Sequence, residues 1–379
     1  MTVRLTGAEV LWPGGLGPGD LCFENGHIVR AGAGSVVDLS GFRILPGIVD
    51  MHGDGFERHI APRRGAMRDL GQGLASCDAE LAANGITTAV LAQFFSWEGG
   101  MRGPEFAERF CAALCAARPD LLSDMRLQLR FETHMLEAYD RFEALVESSG
   151  AAYVVFNDHL PHEALARGKR PPRLTGQALK SGRSPESHLA LLQAMHARRA
   201  EVPQAVAALA QRLGARGVLL GSHDDRSAEG RRCWRARGVA MAEFPETREA
   251  ALAARQGGDG IVLGAPNVVR GGSHSGNVGA AALLAEGLGD ALASDYHYPA
   301  PRQAVTRLVE DGVMGFAEAW RLVSAGPAAL LGLTDRGALE VGKRADLVVM
   351  DPATGRIGAT VCAGRFSYLS GEVAARFLA

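Results

Sequence analysis

One stretch decides the fold: Ile44-Leu45-Pro46-Gly47-Ile48-Val49-Asp50-Met51-His52-Gly53-Asp54. Its apolar part, Ile44–Met51, predicts a buried strand. An imidazole and a carboxylate follow at once, two residues apart. Because side chains on a strand alternate with a period of two, His52 and Asp54 are expected to point the same way. Two polar ligands at the end of a buried strand indicate a site for a divalent metal.

Seven further strand-like runs follow, separated by alanine-rich helical segments. The eight candidates are Ile44–Met51, Ile86–Phe94, Arg126–Phe131, Ala152–Asn157, Gly217–Ser222, Val239–Phe244, Gly260–Ala265 and Asp290–Ser294. Strands that alternate with helices predict a parallel sheet of the α/β class. Eight such units predict a (β/α)8 TIM-like barrel, which we place at residues 44–337.

The two ends of the chain have a different character. Residues 1–43 and 338–379 are rich in short β-like pieces and turns, and Asn25-Gly26 between apolar runs is a strong hairpin signal. We therefore predict a small composite β-sandwich domain built from both termini.

Bulk composition restricts the partners. The 379 residues include 40 Lys+Arg and 42 Asp+Glu, so bulk charge predicts neither a nucleic-acid nor a membrane partner. The six cysteines lack the paired spacing of a disulfide scaffold, and no targeting or membrane-length apolar segment is evident. These features favour a cytoplasmic protein that acts on a small molecule, and they leave a homo-oligomer open.

Polar residues cluster where the predicted barrel strands end, and barrel active sites lie at the carboxyl ends of the strands. Six of these residues are the predicted metal ligands: His52, Asp54, Glu132, His159, His223 and Asp295. Imidazole with carboxylate suits zinc, or alternatively manganese or iron, as one or two ions, and such an ion lowers the pKa of a bound water towards neutral. For Glu57, His134, Asp158, Asp224 and His297, a cap or an ordinary hydrogen bond is an equal alternative, and Glu243 is left open. Ordinary surface positions are expected for His27, His162, His188 and His196.

A second group of polar residues lies in the glycine-rich stretch Gly264–Asn277. Glycines allow backbone N–H groups to approach an anion, and side-chain donors add to the binding. The stretch therefore predicts a phosphate-binding loop. Its predicted substrate-binding residues are Arg270, Ser273, His274 and Asn277, with Arg58 and Lys169 as further contacts from elsewhere in the chain.

Several of these motifs resemble the amidohydrolase superfamily. The resemblance rests on Leu45–His52, on Gly85-Ile86-Thr87-Thr88 and on the closing segment Gly337–Leu347, so it spans nearly the whole chain. It implies a metal-dependent barrel hydrolase with a composite β-sandwich. It also implies that Asp295 takes the proton of the attacking water, with His223 as the second catalytic residue, and that Glu132 bridges the ions if there are two.

The first-strand motif is His-x-Asp here, whereas His-x-His is more usual in the superfamily. Together with Ser222–Asp225, Ala242–Pro245 and Gly264–Asn277, it resembles a narrower group, the diphosphatases of the carbon–phosphorus lyase pathway. That resemblance implies hydrolysis of α-D-ribose 1-methylphosphonate 5-triphosphate to the 5-phosphate and pyrophosphate. One segment departs from the group, because Leu160-Pro161-His162-Glu163 stands where Thr-Pro-Gly-Gln is usual.

Two alternatives remain from the sequence. One is an amidase or deaminase that acts on a cyclic amide, which is the more common chemistry of the superfamily. The other is a non-catalytic scaffold of a phosphonate-degrading complex. The arginine in the glycine-rich stretch favours a phosphorylated substrate over the first, and the presence of every candidate ligand favours an enzyme over the second.

Overall fold

The computed structural model of the protein describes residues 2–63, 69–272 and 278–379. Within these ranges the chain forms eighteen strands. They are β1 (Thr2–Thr6), β2 (Glu9–Trp12), β3 (Gly15–Pro18), β4 (Leu21–Glu24), β5 (His27–Val29), β6 (Ser35–Asp38), β7 (Arg43–Pro46), β8 (Ile48–Gly53), β9 (Ile86–Phe95), β10 (Asp124–Glu132), β11 (Tyr153–Asn157), β12 (Leu219–His223), β13 (Met241–Glu243), β14 (Gly260–Gly264), β15 (Ala291–Ala293), β16 (Leu347–Met350), β17 (Ile357–Cys362) and β18 (Arg365–Leu369).

The same ranges contain sixteen α-helices, most of which connect the strands of the barrel. They are α1 (Glu57–Ile60), α2 (Leu70–Ala83), α3 (Pro104–Ala117), α4 (Tyr139–Ser149), α5 (His162–Ala166), α6 (Leu174–Lys180), α7 (Pro185–Ala197), α8 (Val202–Ala215), α9 (Ala228–Ala236), α10 (Arg248–Gln256), α11 (Ala265–Arg270), α12 (Ala280–Ala285), α13 (Ala300–Glu310), α14 (Phe316–Arg321), α15 (Ala325–Leu330) and α16 (Gly371–Leu378). Among the described residues, every helix is too short or too polar to cross a lipid bilayer.

Strands β8 to β15 form one eight-stranded sheet in which neighbours along the chain are neighbours in the sheet. The registers in this sheet are parallel, as between β10 and β11 and between β11 and β12. A backbone bridge between Gly53 and Asp295 joins the ends of the first and last strands. The predicted TIM-like barrel is therefore confirmed. The strands were recognisable in the sequence because a parallel strand covered on both faces is a continuous apolar run.

The termini build two further sheets, with strand orders β5-β4-β1-β6 and β18-β17-β16-β7-β2-β3. Their buried side chains, among them Leu5, Val349 and Val361, form one hydrophobic cluster. Asn25 and Gly26, with φ of 50° and 86°, turn the chain between β4 and β5 as the hairpin signal predicts. The composite β-sandwich is confirmed, and the exact limits of the two domains stay a prediction.

The prediction of a single strand over Ile44–Met51 is wrong. The chain forms β7 in the terminal sheet, breaks at Gly47, and continues as β8 in the barrel. The Gly47 N–H donates to the Asp346 carbonyl oxygen at 2.9 Å, and that of Ile48 to the Gly85 carbonyl oxygen at 2.9 Å. A Cβ atom at residue 47 would lie 2.3 Å from Oγ1 of Thr87, so only glycine fits at the crossing point.

By its internal contacts the chain divides into two compact units. The first unit consists of residues 1–91, 117–126 and 262–379. The second consists of residues 92–116 and 127–261.

Candidate active site

In the first unit, the backbone brings three of the predicted ligands together. His52 is the fifth of the six residues of β8 and is fully buried. The Asp295 N–H donates to the His52 carbonyl oxygen at 2.9 Å, and the Asp54 N–H donates to the Asp295 carbonyl oxygen at 2.8 Å. These backbone hydrogen bonds place the main chains of His52, Asp54 and Asp295 next to one another, and their role as ligands stays a prediction.

A buried carboxylate positions this strand end. Both oxygens of Asp50 accept hydrogen bonds from Ser294, one from the backbone N–H at 2.9 Å and one from the hydroxyl at 2.5 Å. Burial raises the pKa of Asp50, against the opposing effect of these hydrogen bonds. The sequence interpretation missed Asp50, although it is the one charged residue in the apolar run Ile44–Met51 and could have been noticed for that reason.

In the second unit, Glu132 and His159 form a close pair. Glu132 ends β10 with its side chain fully buried, and its Oε1 lies 2.5 Å from Nδ1 of His159. Its Oε2 accepts from Nε1 of Trp97 at 3.2 Å and from the His159 backbone N–H at 3.1 Å. Burial alone would raise the pKa of Glu132, but the charge of His159 lowers it. Burial would likewise lower the pKa of His159, and Glu132 raises it.

The end of β12 supplies a second set of polar atoms. Nδ1 of His223 lies 3.0 Å from Oδ2 of Asp224, and this carboxylate oxygen is 4.0 Å from Nε2 of His159. Arg130 donates to Nε2 of His223 at 3.0 Å and stacks on the ring of Phe94 at 3.9 Å. Burial would raise the pKa of Asp224, but His223, His159 and Arg130 lower it well below its ordinary value. Asp224 is therefore an ionised carboxylate placed between two imidazoles.

A buried ion network lies behind this strand end. The guanidinium of Arg231 is fully buried and contacts Asp225 at 3.1 Å and Asp259 at 3.0 Å. It also donates to the Ser222 hydroxyl at 2.7 Å, and that hydroxyl donates to Asp225 at 2.8 Å. Because Ser222 immediately precedes His223, the network fixes the backbone that presents His223 and Asp224.

An open cavity of about 410 Å³ lies beside His159 in the second unit. It is lined by Glu98, Arg102, His159, Pro161, Pro171, Pro172, Arg173 and Gln177. Arg102 pairs with Glu98 at 3.2 Å. The sequence interpretation overlooked Glu98, although it follows the second predicted strand by four residues and so lies where barrel strands present functional groups.

The donor atoms of the second unit fit a divalent metal. One ligand atom from each of Glu98, Glu132 and His159 lies within 4.8 Å of the others, and the same holds for His159, His223 and Asp224. Oε1 of Glu132 and Nδ1 of His159 are buried and lie 2.5 Å apart. Imidazoles and carboxylates held together in this way suit zinc, manganese or iron.

The predicted substrate-binding residues lie in several places. Arg270 is the exposed last residue of α11, and its guanidinium lies 5.9 Å from the ring centre of Tyr296. The glycine-rich stretch Gly264–Asn277, which was expected to be a loop, therefore begins with a helix. This helix ends at Gly271, which has a φ of 75°. Arg58 pairs with Glu80 and donates to the Tyr296 carbonyl oxygen at 2.9 Å. Lys169 is exposed in the turn after α5. The positions of Ser273, His274 and Asn277 lie outside the described residues.

The structure also gives contacts for Glu57 and Glu243, whose roles the sequence left open. Glu57 begins α1, with its N–H donating to the Asp54 carbonyl oxygen at 3.0 Å. Oε1 of the buried Glu243 accepts from Gln128 at 2.7 Å and from the Tyr153 hydroxyl at 2.6 Å.

The expectation of ordinary surface histidines is wrong for His188. His188 is fully buried and its ring lies 5.7 Å from that of Trp97, because α7 turns this side chain inward. His162 and His196 are half-buried and contact each other. His27 is exposed as expected.

Known proteins place the chain in a family. An alpha-D-ribose 1-methylphosphonate 5-triphosphate diphosphatase of Escherichia coli (strain K12) is 35% identical over 355 residues, which cover 87% of this chain and 90% of that protein. A family model described as the amidohydrolase family matches residues 196–368. The chain belongs to the amidohydrolase superfamily. It is accordingly a hydrolase by family.

Solved structures share the fold. An amidohydrolase superposes with a TM-score of 0.68 at 14% identity, covering 98% of this chain and 100% of its own. An N-acetylglucosamine-6-phosphate deacetylase from Pasteurella multocida superposes with a TM-score of 0.63 at 11% identity, covering 97% and 99%. At these identities the likeness concerns the fold alone.

Proposed function

We propose that the protein is a metal-dependent diphosphatase that hydrolyses α-D-ribose 1-methylphosphonate 5-triphosphate to the 5-phosphate and pyrophosphate. The observation that carries the proposal is a pair of ligand sets that share His159, beside a cavity lined by two arginines. The sets are Glu98, Glu132 and His159, and His159, His223 and Asp224. The Escherichia coli relative, which bears the name of this activity, supports the choice of substrate.

For the metal, we propose the ligands predicted from the sequence, namely His52, Asp54, Glu132, His159, His223 and Asp295, and we add Glu98 and Asp224. When bound, a divalent ion would activate water and offset charge on phosphoryl oxygens. Within the second unit, Glu132 orients His159 by accepting from its backbone N–H at 3.1 Å. Asp224 is ionised next to His223, so the set carries the negative charge that a divalent cation requires.

The other steps fall to groups of the chain itself. Asp295 is proposed to accept the proton of the attacking water on a carboxylate oxygen, and its backbone is fixed by hydrogen bonds to His52 and Asp54. Arg102 and Arg173 line the cavity at His159, and guanidinium groups bind phosphate oxygens in a bidentate manner. Their charge would offset the charge that develops on the leaving pyrophosphate. Arg270, Arg58 and Lys169, with Ser273, His274 and Asn277, remain proposed contacts to the substrate.

The test is phosphorus NMR of the products formed by the metal-loaded protein from the ribose methylphosphonate triphosphate. We expect pyrophosphate and the 5-phosphate in equal amounts. Stepwise release of orthophosphate, or turnover of a hydantoin-type cyclic amide with the triphosphate untouched, would overturn the proposal.

A substitution in the cavity tests the arginine contacts. Arg173→Gln should raise KM for the triphosphate about tenfold or more, because a charge-assisted hydrogen bond contributes roughly 1.5–3 kcal/mol. Arg170→Gln is the matched control, since Arg170 is exposed nearby and does not line the cavity. Equal KM values for the two variants would remove Arg173 from the substrate site.

A further inference from the structure

A second cluster of ligand-type side chains lies in the second unit, outside the proposed hydrolase ligands. His134 follows β10, Asp158 follows β11, His162 is the first residue of α5 and His196 lies in the last turn of α7. One ligand atom from each of His134, Asp158 and His162 lies within 4.8 Å of the other two. Two imidazoles, those of His134 and His162, thus meet at the Asp158 carboxylate, and His196 contacts His162.

The distances within this cluster are short enough for its three side chains to share one ion. Nε2 of His162 lies 2.9 Å from Oδ2 of Asp158, and Nδ1 of His134 lies 3.4 Å from Oδ1. Ligand bonds of about 2.0–2.2 Å to zinc in a tetrahedron place neighbouring ligand atoms about 3.3 Å apart. The three side chains therefore need only small shifts to bind one ion.

The remaining polar atoms of the cluster hold the ligands in place. Nδ1 of His162 lies 2.8 Å from Nδ1 of His196, which is a hydrogen-bond distance. With Nε2 on a metal, the Nδ1–H of His162 would donate to His196, which is the usual arrangement of an outer partner. Oδ1 of Asp158 accepts from the Leu160 N–H at 3.2 Å, which fixes the carboxylate.

The cluster is separate from the hydrolase ligands, although it is adjacent to them in sequence. Asp158 and His159 are successive residues, and their side chains serve different groups. His159 faces Glu132 at 2.5 Å, whereas Asp158 faces His134 and His162. The side chain of His134 is 5% exposed and that of Asp158 is 41% exposed, so the site has a buried base and an open side.

We infer that His134, Asp158 and His162 form a second divalent-cation site of the zinc type, with His196 as its outer hydrogen-bond partner and one coordination position open to solvent. An open position is characteristic of three-ligand zinc sites. The ion would join the β10 and β11 loops to α5, and His162 lies in the segment Leu160–Glu163, where this sequence departs from the diphosphatase group.

The test is a cobalt(II) titration of the chelator-treated full chain, followed by visible absorption and by metal analysis. Wild type should bind one equivalent more than His162→Gln, and His162→Gln should keep its turnover of the ribose triphosphate. His27→Gln is the matched control, because His27 is an exposed histidine in the other unit. His196→Gln should weaken the binding of this ion about 10–100-fold without removing it.

Further variants keep the result unambiguous. If His162→Gln does not fold, as judged by circular dichroism, Asp158→Asn replaces it with the same expectation. Glu132→Gln should lose turnover and keep the additional equivalent, so failure of the proposed function and failure of this inference give different results. The inference would be overturned if wild type, His162→Gln and Asp158→Asn bound the same number of cobalt ions. It would also be overturned if turnover disappeared together with the ion of this cluster.

Discussion

The replacement Glu132→Gln tests the centre of the proposed site, because it keeps the volume of a fully buried side chain and removes its charge. Breaking a buried ion pair costs about 3–5 kcal/mol when the orphaned charge stays buried. The His159 side chain is 31% exposed and can lose its proton, so we expect the smaller loss of a charged hydrogen bond, about 1.5–3 kcal/mol.

These free energies correspond to measurable shifts in the melting temperature. A chain of 379 residues has an unfolding entropy of about 0.8 kcal/mol/K, so metal-free Glu132→Gln should melt about 2–4 °C below metal-free wild type. An ion supplied at 100 times its Kd stabilises the wild type by about 2.7 kcal/mol, or about 3 °C. In Glu132→Gln, the rise in melting temperature that comes from the ion bound by Glu132 should be absent. Turnover should be lost as well.

The assay is thermal unfolding of chelator-treated protein with and without added zinc or manganese, paired with metal analysis. Glu143→Gln is the matched control, since Glu143 is a half-buried carboxylate paired with Arg212 at 2.7 Å and Arg216 at 2.9 Å. That variant should melt lower by a similar amount and keep the full metal increment. Retention of both the increment and the turnover by Glu132→Gln would refute the reasoning.

Three further outcomes are expected. Asp295→Asn should abolish turnover while largely preserving metal content; wild-type turnover in this variant would exclude Asp295 as the proton acceptor. Arg231→Met should lower the free energy of unfolding by about 3–5 kcal/mol, because the buried Asp225 loses its counter-ion, whereas Asp259 keeps Arg235; a loss below about 1 kcal/mol in denaturant titration would contradict this. Burial would raise the pKa of Asp124, but Arg126 and Arg336 lower it below its ordinary value. The ionised Asp124 carboxylate should therefore stabilise the fold equally at all pH values near neutral. This stabilisation should disappear as the pH falls below about 4. The stability difference between wild type and Asp124→Asn should therefore shrink in acid, and a difference that grows in acid would show the opposite sign.

Much of this fold could be predicted because its strands are buried on both faces. The runs Ile86–Phe94 and Ala152–Asn157 match β9 and β11 to within one residue. The break at Gly47 could not be predicted, because it depends on the approach of Thr87 and on the partner strand from the other terminus. The helix α11 (Ala265–Arg270) was harder to recognise, since it has only six residues and glycines precede and follow it.

The candidate site was predictable where a strand end itself carries the functional group, as at Glu132 and His223. Residues that act from loops were harder to recognise. Glu98 lies three residues beyond β9, and the cavity arginine Arg173 is contributed by the segment between α5 and α6. The inward orientation of His188 depends on how α7 packs, which one sequence without a structure does not reveal.

Three residues that follow barrel strands adopt left-handed backbone conformations: Asp224 (φ 60°), Phe244 (φ 54°) and Asp295 (φ 54°). Aspartate, asparagine and glycine tolerate this region, whereas β-branched and bulky residues are strained there. Asparagine at 224 or 295 therefore changes only the chemistry of the side chain, but valine or threonine would also move the main chain. Only a very small set of residues can therefore replace Asp224 and Asp295, in natural variants and in laboratory evolution alike. At position 244, glycine in place of phenylalanine would relieve backbone strain.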